Sequence, residues 1–252
     1  MKHFFKISFS IIFFSFFFSF QINEVFSQTE SKQAQNEKIP VLIELFTSEG
    51  CPGCPPADRL LQRLESEQPY KDTEVITLSL HVDYWNRSDW KDPYSSPLFT
   101  RRQDIYARAF RQRDTYTPQM IVDGRTFFIG SNAAEATKAI VANAKNEKAN
   151  IEISNEKEKL KVTISKIPPR ENSTVFLAIT EDISATGKKS GRASVVRELR
   201  TLGMLTPAQT EFKYEQAVQI NPDWKKENLK FVIFIQENLS RKILGVNRIN
   251  VE

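Results

Sequence analysis

The feature that most constrains this chain is a Cys-Pro-Gly-Cys motif, residues 51–54, which holds both of its cysteines. A short apolar run rich in β-forming residues precedes the motif at residues 40–46, and the leucines of residues 57–68 lie on one helical face. A second apolar run with β-branched residues follows at residues 75–82. This order predicts two parallel strands joined by a right-handed helical crossover. A single pair of cysteines excludes a multi-bridge disulfide scaffold and a closed four-cysteine zinc site.

The rest of the chain predicts an α/β half followed by a β-rich half. Residues 98–111 and 133–144 have helical patterns, and Asp123-Gly124 between two apolar runs is a strong hairpin signal. Residues 41–147 therefore predict the order β-α-β-α-β-β-α. Residues 148–252 contain several alternating apolar runs and predict a mainly β, sandwich-like domain.

Residues 1–27 have the composition of a secretory signal peptide. Lysines lie near the start, and residues 7–20 are apolar except for serine. This run is shorter than the ~20 residues that span a bilayer as a helix, so we expect cleavage near Gln28 rather than an uncleaved anchor. Residues 28–39 are polar and predict a flexible lead-in. Export to a periplasm or to the cell exterior would keep the cysteines outside the reducing cytosol, with no stable membrane insertion after cleavage.

The composition is that of a folded protein without a nucleic-acid partner. Apolar residues make up 40% of the chain and charged residues 26%, which permits a packed core and argues against wholesale disorder. The net charge of +4 at pH 7 is mild and dispersed. Nucleic-acid binding requires a basic face, so we expect no such partner.

A CxxC motif between a strand and a helix predicts redox chemistry. Cys51 is expected at the helix N-terminus, where unpaired N–H groups and the helix dipole favour a thiolate. Cys54 follows one turn later, close enough to resolve a mixed disulfide. Two other interpretations stay open: a permanently closed disulfide in an interaction protein, and half of a metal site.

Three motifs resemble a known family. They are Val41-Leu-Ile-Glu-Leu-Phe-Thr-Ser-Glu-Gly-Cys-Pro-Gly-Cys-Pro-Pro-Ala-Asp58, His81-Val-Asp-Tyr-Trp85 and Tyr116-Thr-Pro-Gln-Met-Ile-Val-Asp-Gly124. As a set they are similar to the exported thioredoxin-like family catalogued as domain of unknown function 1223, and Gly191-Arg-Ala-Ser-Val-Val-Arg197 is a weaker match to it.

The resemblance implies an α/β thioredoxin-like domain at residues 40–147, followed by the β-rich domain at residues 148–252. It also implies a cis proline that faces the dithiol, and Thr117-Pro118 matches that position.

Two polar residues in the predicted strands are candidate helpers of the dithiol. Glu44 lies in an otherwise apolar strand, and its position resembles that of the buried acid of thioredoxins. Burial would raise the pKa of its carboxyl and make it a proton acceptor for Cys54. A solvent-facing position or a salt bridge is the alternative. His81 ends the second strand, at the sheet edge expected to carry the motif. There it would tune Cys51, bind a metal, or serve a structural role.

The main prediction is an exported thiol–disulfide oxidoreductase without a cofactor. Its predicted catalytic residues are Cys51, Cys54, Glu44 and Pro118. Its predicted substrate-binding residues are Thr117, Trp85 and Tyr84. The expected partners are protein or small thiol and disulfide substrates, together with a redox partner that recycles the dithiol. The direction of the chemistry depends on the reduction potential.

A metal carrier, for copper above all, is the first alternative, because thiolates suit Cu(I). Its ligands would be Cys51, Cys54 and His81. The sequence near the motif lacks a second histidine or a methionine cluster, which counts against this alternative. The other alternative is an interaction protein in which the disulfide is inert.

Overall fold

The computed structural model describes residue 1 and residues 38–156, 159–184 and 191–251. Residues Lys38–Glu252 form one compact unit. Apart from residue 1, the predicted signal peptide lies outside the described residues, and so does most of the predicted lead-in. Over the described ranges, no helix is both long enough and apolar enough to cross a membrane.

The described residues form eleven strands and three α-helices. The helices are α1 (Pro55–Glu67), α2 (Pro97–Ala109) and α3 (Ala133–Asn143). The strands are β1 (Ile39–Thr47), β2 (Thr73–His81), β3 (Gln119–Val122), β4 (Thr126–Ile129), β5 (Asn150–Glu156), β6 (Lys159–Ser165), β7 (Ser173–Ile183), β8 (Arg192–Leu205), β9 (Phe212–Ala217), β10 (Leu229–Glu237) and β11 (Ile243–Asn250). A short 3-10 helix at Lys226–Asn228 precedes β10.

Local chemistry explains where these helices and the first hairpin begin. Two prolines open α1, where a missing N–H is tolerated. The side chain of Ser96 accepts a hydrogen bond from the Leu98 N–H and caps α2. Asp123 and Gly124 have φ values of 50° and 62°, as a tight hairpin turn between β3 and β4 requires.

One eight-stranded mixed sheet contains strands from both halves of the chain, in the order β11-β10-β7-β8-β2-β1-β3-β4. The prediction of a thioredoxin-like α/β domain followed by a β domain is therefore wrong. The two halves meet where β2 pairs in parallel with β8, with Ser79 opposite Val195. The edge of β2 that does not face β1 is covered by β8, a strand more than a hundred residues further along the chain.

The two faces of the large sheet explain why the halves join. On one face, α1 and α3 pack on side chains such as Ile43 and Leu45 of β1. On the other face, Phe99 and Tyr106 of α2 share one buried cluster with residues from both halves of the sheet. Because burial of apolar surface drives folding, a core that spans the junction favours one continuous sheet over two separate domains.

The remaining strands form a second sheet of three strands, in the order β5-β6-β9. Its buried side chains, such as Leu160 and Ile164, belong to the same cluster as Leu177 and Ile233 of the large sheet. The small sheet therefore packs on the C-terminal strands of the large sheet.

Candidate functional site

The two cysteines lie in a tight turn between β1 and α1 and form a disulfide bond. Cys54 is the N-cap residue of α1. The Cys51 N–H donates to the Ser48 carbonyl at 3.2 Å, and the Cys54 N–H donates to the Cys51 carbonyl at 3.2 Å. Cys51 retains 4% of its surface, whereas Cys54 is fully buried. Cys51 is therefore the more accessible of the two residues, and Pro52 and Gly53 between them are exposed.

The start of α1 offers fewer hydrogen-bond donors than the sequence led us to expect. Pro55 and Pro56 occupy the first two helical positions and have no N–H. The N–H groups of Ala57 and Asp58 both donate to the Cys54 carbonyl, at 2.9 and 3.1 Å. The expectation of free helix N–H groups facing Cys51 is therefore wrong. Only the helix dipole is left to favour a thiolate at Cys51.

Pro118 lies beside the disulfide turn. The Thr117-Pro118 peptide bond is cis, as the resemblance implied. A Cβ atom added to Gly53 would lie 3.9 Å from Pro118 Cδ, in ordinary van der Waals contact. The indole N–H of Trp85 donates to Thr117 Oγ1 at 2.7 Å. The structure therefore brings Pro118, Thr117 and Trp85 together next to the CxxC turn.

Two tryptophans pack on the residue that precedes Cys51. A Cβ atom at Gly50 would lie 2.9 Å from Trp90 Cζ3 and 3.2 Å from Trp85 Cβ, so a side chain at this position would displace an indole. Tyr84 is 43% exposed, and its hydroxyl donates a hydrogen bond to Gln103 Oε1 at 3.2 Å. Partial burial raises the pKa of Tyr84, and hydrogen bonds with Thr117 and Gln103 offset part of that rise.

A buried pair, His81 and Asp92, supports the loop before Cys51. His81 Nδ1 lies 2.8 Å from Asp92 Oδ2, and neither side chain is exposed. The same carboxylate oxygen accepts hydrogen bonds from Ser48 Oγ at 3.0 Å and from the Glu49 N–H at 2.7 Å. Asp92 therefore ties the end of β2 to the loop that leads into the disulfide. Sequence reasoning missed Asp92, because nothing around it distinguishes it from other acids in its segment.

The ring of His81 has one further nitrogen. Its Nε2 is buried and has no hydrogen-bond partner within the part of the chain that the structure describes. Across the described ranges, no group of three or more His, Cys, Asp or Glu side chains is arranged to hold a metal ion. His81 instead contacts Asp92 and meets the ring of Tyr94 edge-on at a centroid distance of 5.3 Å.

Asp92 is expected to make the protein sensitive to acid. Burial alone would raise the pKa of Asp92, but hydrogen bonds and the charge of His81 lower it from 3.8 to about 2. The Asp92 carboxylate therefore binds a proton more tightly in the unfolded chain than in the folded protein. The contribution of Asp92 to stability is complete above pH ~4 and is lost as the pH falls towards ~2. Urea unfolding from pH 2 to 6 should show a smaller loss of stability for Asp92→Asn than for the wild type. If the free energy of unfolding of both proteins changes with pH in the same way, Asp92 does not cause the sensitivity to acid.

Arg192 brings the C-terminal half of the chain to the disulfide turn. Its Nε lies 2.5 Å from Glu49 Oε1, and its Nη1 lies 2.7 Å from Asp58 Oδ2. Asp58 also accepts a hydrogen bond from Thr47 Oγ1 at 2.8 Å. Burial alone would lower the pKa of Arg192, but these two carboxylates raise it above its ordinary value. Arg192 lies in the weaker sequence motif, residues 191–197, which is the signal that could have identified it.

Glu44 does not lie with the cysteines. It alternates along β1 with residues that face α1, and its side chain points to the α2 face of the sheet. There its carboxylate lies 2.5 Å from Arg102 Nε and accepts a hydrogen bond from the Tyr106 hydroxyl. The structure therefore does not bring Glu44 to Cys54, and it realises the alternative interpretation of Glu44 as half of a salt bridge.

The comparison with solved structures shows that a known protein has a similar fold. The chain is similar to the X-ray crystal structure of protein AGR_C_4864 from Agrobacterium tumefaciens, with 25% sequence identity and a TM-score of 0.72 over 86% of this chain and 96% of that one. A domain of the outer membrane lipoprotein Omp28 from Porphyromonas gingivalis matches 42% of this chain and 89% of its own, with 18% identity. Its TM-score of 0.29 is too low to support any inference.

The search of curated proteins found no match. The family model described as protein of unknown function (DUF1223) matches residues 42–236, which includes the disulfide turn, His81, Pro118 and Arg192. The chain therefore belongs to the DUF1223 family.

Proposed function

We propose that this protein is an exported thiol–disulfide oxidoreductase that uses Cys51 and Cys54. The observation that carries the proposal is the position of their disulfide. It lies in a turn with exposed residues at Pro52 and Gly53, at the start of a helix, and beside Pro118. A disulfide that served as a structural clamp would join distant segments, whereas this one closes a loop of four residues.

The exchange begins with the substrate and Cys51. A substrate thiolate attacks the Cys51 sulfur and forms a mixed disulfide, while the Cys51–Cys54 bond breaks and Cys54 leaves as a thiolate. A second substrate thiolate then attacks the substrate sulfur of the mixed disulfide and releases the Cys51 thiolate. The substrate loses two electrons and the protein gains them. The reverse sequence reduces a substrate disulfide, and the reduction potential decides which direction prevails.

The surroundings of the turn support this use. Trp85 and Thr117 are partly exposed beside the buried Pro118, next to Gly53, and a substrate segment can lie on them. The ion pairs of Arg192 and the bonds of Asp92 hold the two sides of the turn. A turn held in this way keeps Cys51 in one position when the disulfide opens, which reduces the entropy lost in each exchange.

Catalysis of insulin reduction by dithiothreitol tests the proposal. We expect the wild-type protein to accelerate the reaction and both Cys51→Ser and Cys54→Ser to lose turnover. Ser66→Ala, at an exposed position of α1, retains both sulfurs and the contacts of the turn; it is the control and should keep most of the rate. Equilibration with glutathione buffers then gives the reduction potential and the direction of the chemistry. If the wild-type protein neither accelerates insulin reduction nor oxidises a dithiol peptide, the proposal is wrong and the disulfide is inert.

A further inference from the structure

A cavity lies on the α2 face of the large sheet, where α2 crosses β7 and β8. Its volume is about 290 Å³. Phe176, Leu199 and Ile105 contribute apolar surface to it, and Leu98 lies at its rim with 52% of its surface exposed. The cavity is therefore lined in part by apolar groups that no other element of the described chain covers.

Four arginines line the same cavity, and no aspartate or glutamate is among the described residues that line it. Arg102 is neutralised by Glu44, and Arg200 forms an ion pair with Glu198 at 2.5 Å. Within the described ranges, neither Arg101 nor Arg241 forms an ion pair, although the negative charge of Glu171 acts on Arg241 from a greater distance. Both guanidinium groups belong to the lining of one partly apolar cavity. Such an arrangement favours a ligand that carries a negative charge.

Buried groups hold the backbone of Arg241 in place. The Arg241 carbonyl accepts a hydrogen bond from Gln236 Nε2 at 2.8 Å, and the Gln236 side-chain oxygen accepts one from Arg102 at 3.0 Å. Burial lowers the pKa of Arg241, which means that its positive charge has lost part of its hydration. An anion in the cavity would restore the interactions that Arg241 has lost.

We propose that this cavity binds a small amphipathic anion, a short alkyl chain with one carboxylate. Guanidinium groups match the geometry of a carboxylate through paired N–H donors, and the apolar lining suits an alkyl chain. At ~30 Å³ for a water-sized unit, the cavity holds roughly ten non-hydrogen atoms. Octanoate has this size. The proposal does not depend on the chemistry of Cys51 and Cys54.

Isothermal titration calorimetry with the full chain tests this site. We expect octanoate to bind at least about tenfold more tightly than octanol or octylamine, which share its chain length but lack the negative charge. Arg241→Asn and Arg101→Gln should each weaken octanoate binding by about tenfold. Asparagine tolerates the left-handed backbone of Arg241, whose φ is 66°, and glutamine keeps the helix propensity at Arg101.

Two further variants are matched controls. Arg111 is exposed, has a φ of 55° and does not line the cavity, so Arg111→Asn repeats the change made at Arg241. Arg108→Gln repeats the change made at Arg101 on an exposed position of the same helix. Both controls should bind octanoate like the wild type. No heat of binding with octanoate, equal affinity for octanol, or equal weakening by the control variants would overturn the proposal.

Discussion

Replacement of Cys54 by serine is expected to trap substrate proteins on Cys51, whereas Cys51→Ser is expected to trap almost none. Cys51 retains some accessible surface and Cys54 has none, so the Cys51 thiolate is the one that attacks a substrate disulfide. The attack forms a mixed disulfide on Cys51 and releases the other substrate sulfur as a thiolate. Without Cys54, the mixed disulfide on Cys51 has no internal thiol to resolve it. Non-reducing gels after thiol blocking should show high-mass adducts with Cys54→Ser, at least tenfold more than with Cys51→Ser.

The ionisation of the two thiols provides a second measurement. The dipole of α1 favours a thiolate at its N-terminus, although Pro55 and Pro56 remove two of the N–H donors that would stabilise it directly. We therefore expect Cys51 in the Cys54→Ser variant to titrate below the ~8.5 of a free cysteine, by less than at a helix start with free donors. Equal trapping by both variants, with a Cys51 pKa at or above the free value, would contradict a redox role.

Loss of the guanidinium of Arg102 is expected to cause the largest loss of stability. Arg102→Met leaves the carboxylate of Glu44 without its partner, although only 1% of the Glu44 surface is exposed. Removal of one member of a buried ion pair destabilises a protein by about 3–5 kcal/mol. Urea unfolding followed by circular dichroism measures this loss as a lower midpoint.

The double variant Glu44→Gln/Arg102→Met separates the charge from the packing. Because neither charge is then left buried alone, we expect the double variant to recover part of the stability lost by Arg102→Met. Arg108→Met, on an exposed position of the same helix, is the control and should change the free energy of unfolding by less than about 0.5 kcal/mol. A midpoint of Arg102→Met equal to that of the control would contradict the buried pair.

These stability variants also test where Glu44 acts. Because Glu44 lies on the α2 face and not beside Cys54, Glu44→Gln should lower stability while leaving the exchange rate per folded molecule close to that of the wild type. If the Glu44→Gln variant is fully folded and its pH–rate profile still differs from that of the wild type, Glu44 takes part in the exchange reaction.

Part of the site could be predicted from short stretches of sequence. The CxxC spacing places two sulfurs within reach of each other, and the disulfide forms between them. The resemblance located Thr117-Pro118, and the peptide bond there is cis. Asp92 and Arg192 could not be predicted in the same way, because the contacts of Arg192 with Asp58 join residues that are 134 positions apart. Such contacts depend on which strand lies beside β2.

The sequence by itself determined the local elements. These are the strand, disulfide turn and helix around residues 51–54, the hairpin at Asp123-Gly124, and the alternation along β1 that places Glu44 and Leu45 on different faces of the sheet. These features follow from φ preferences and side-chain periodicity, which act over a few residues. The tertiary structure alone decided that β2 pairs with β8, and hence that the sheet is continuous. Several strand edges that are distant in sequence could pair with β2. Burial of one core shared by both halves of the chain selects β8.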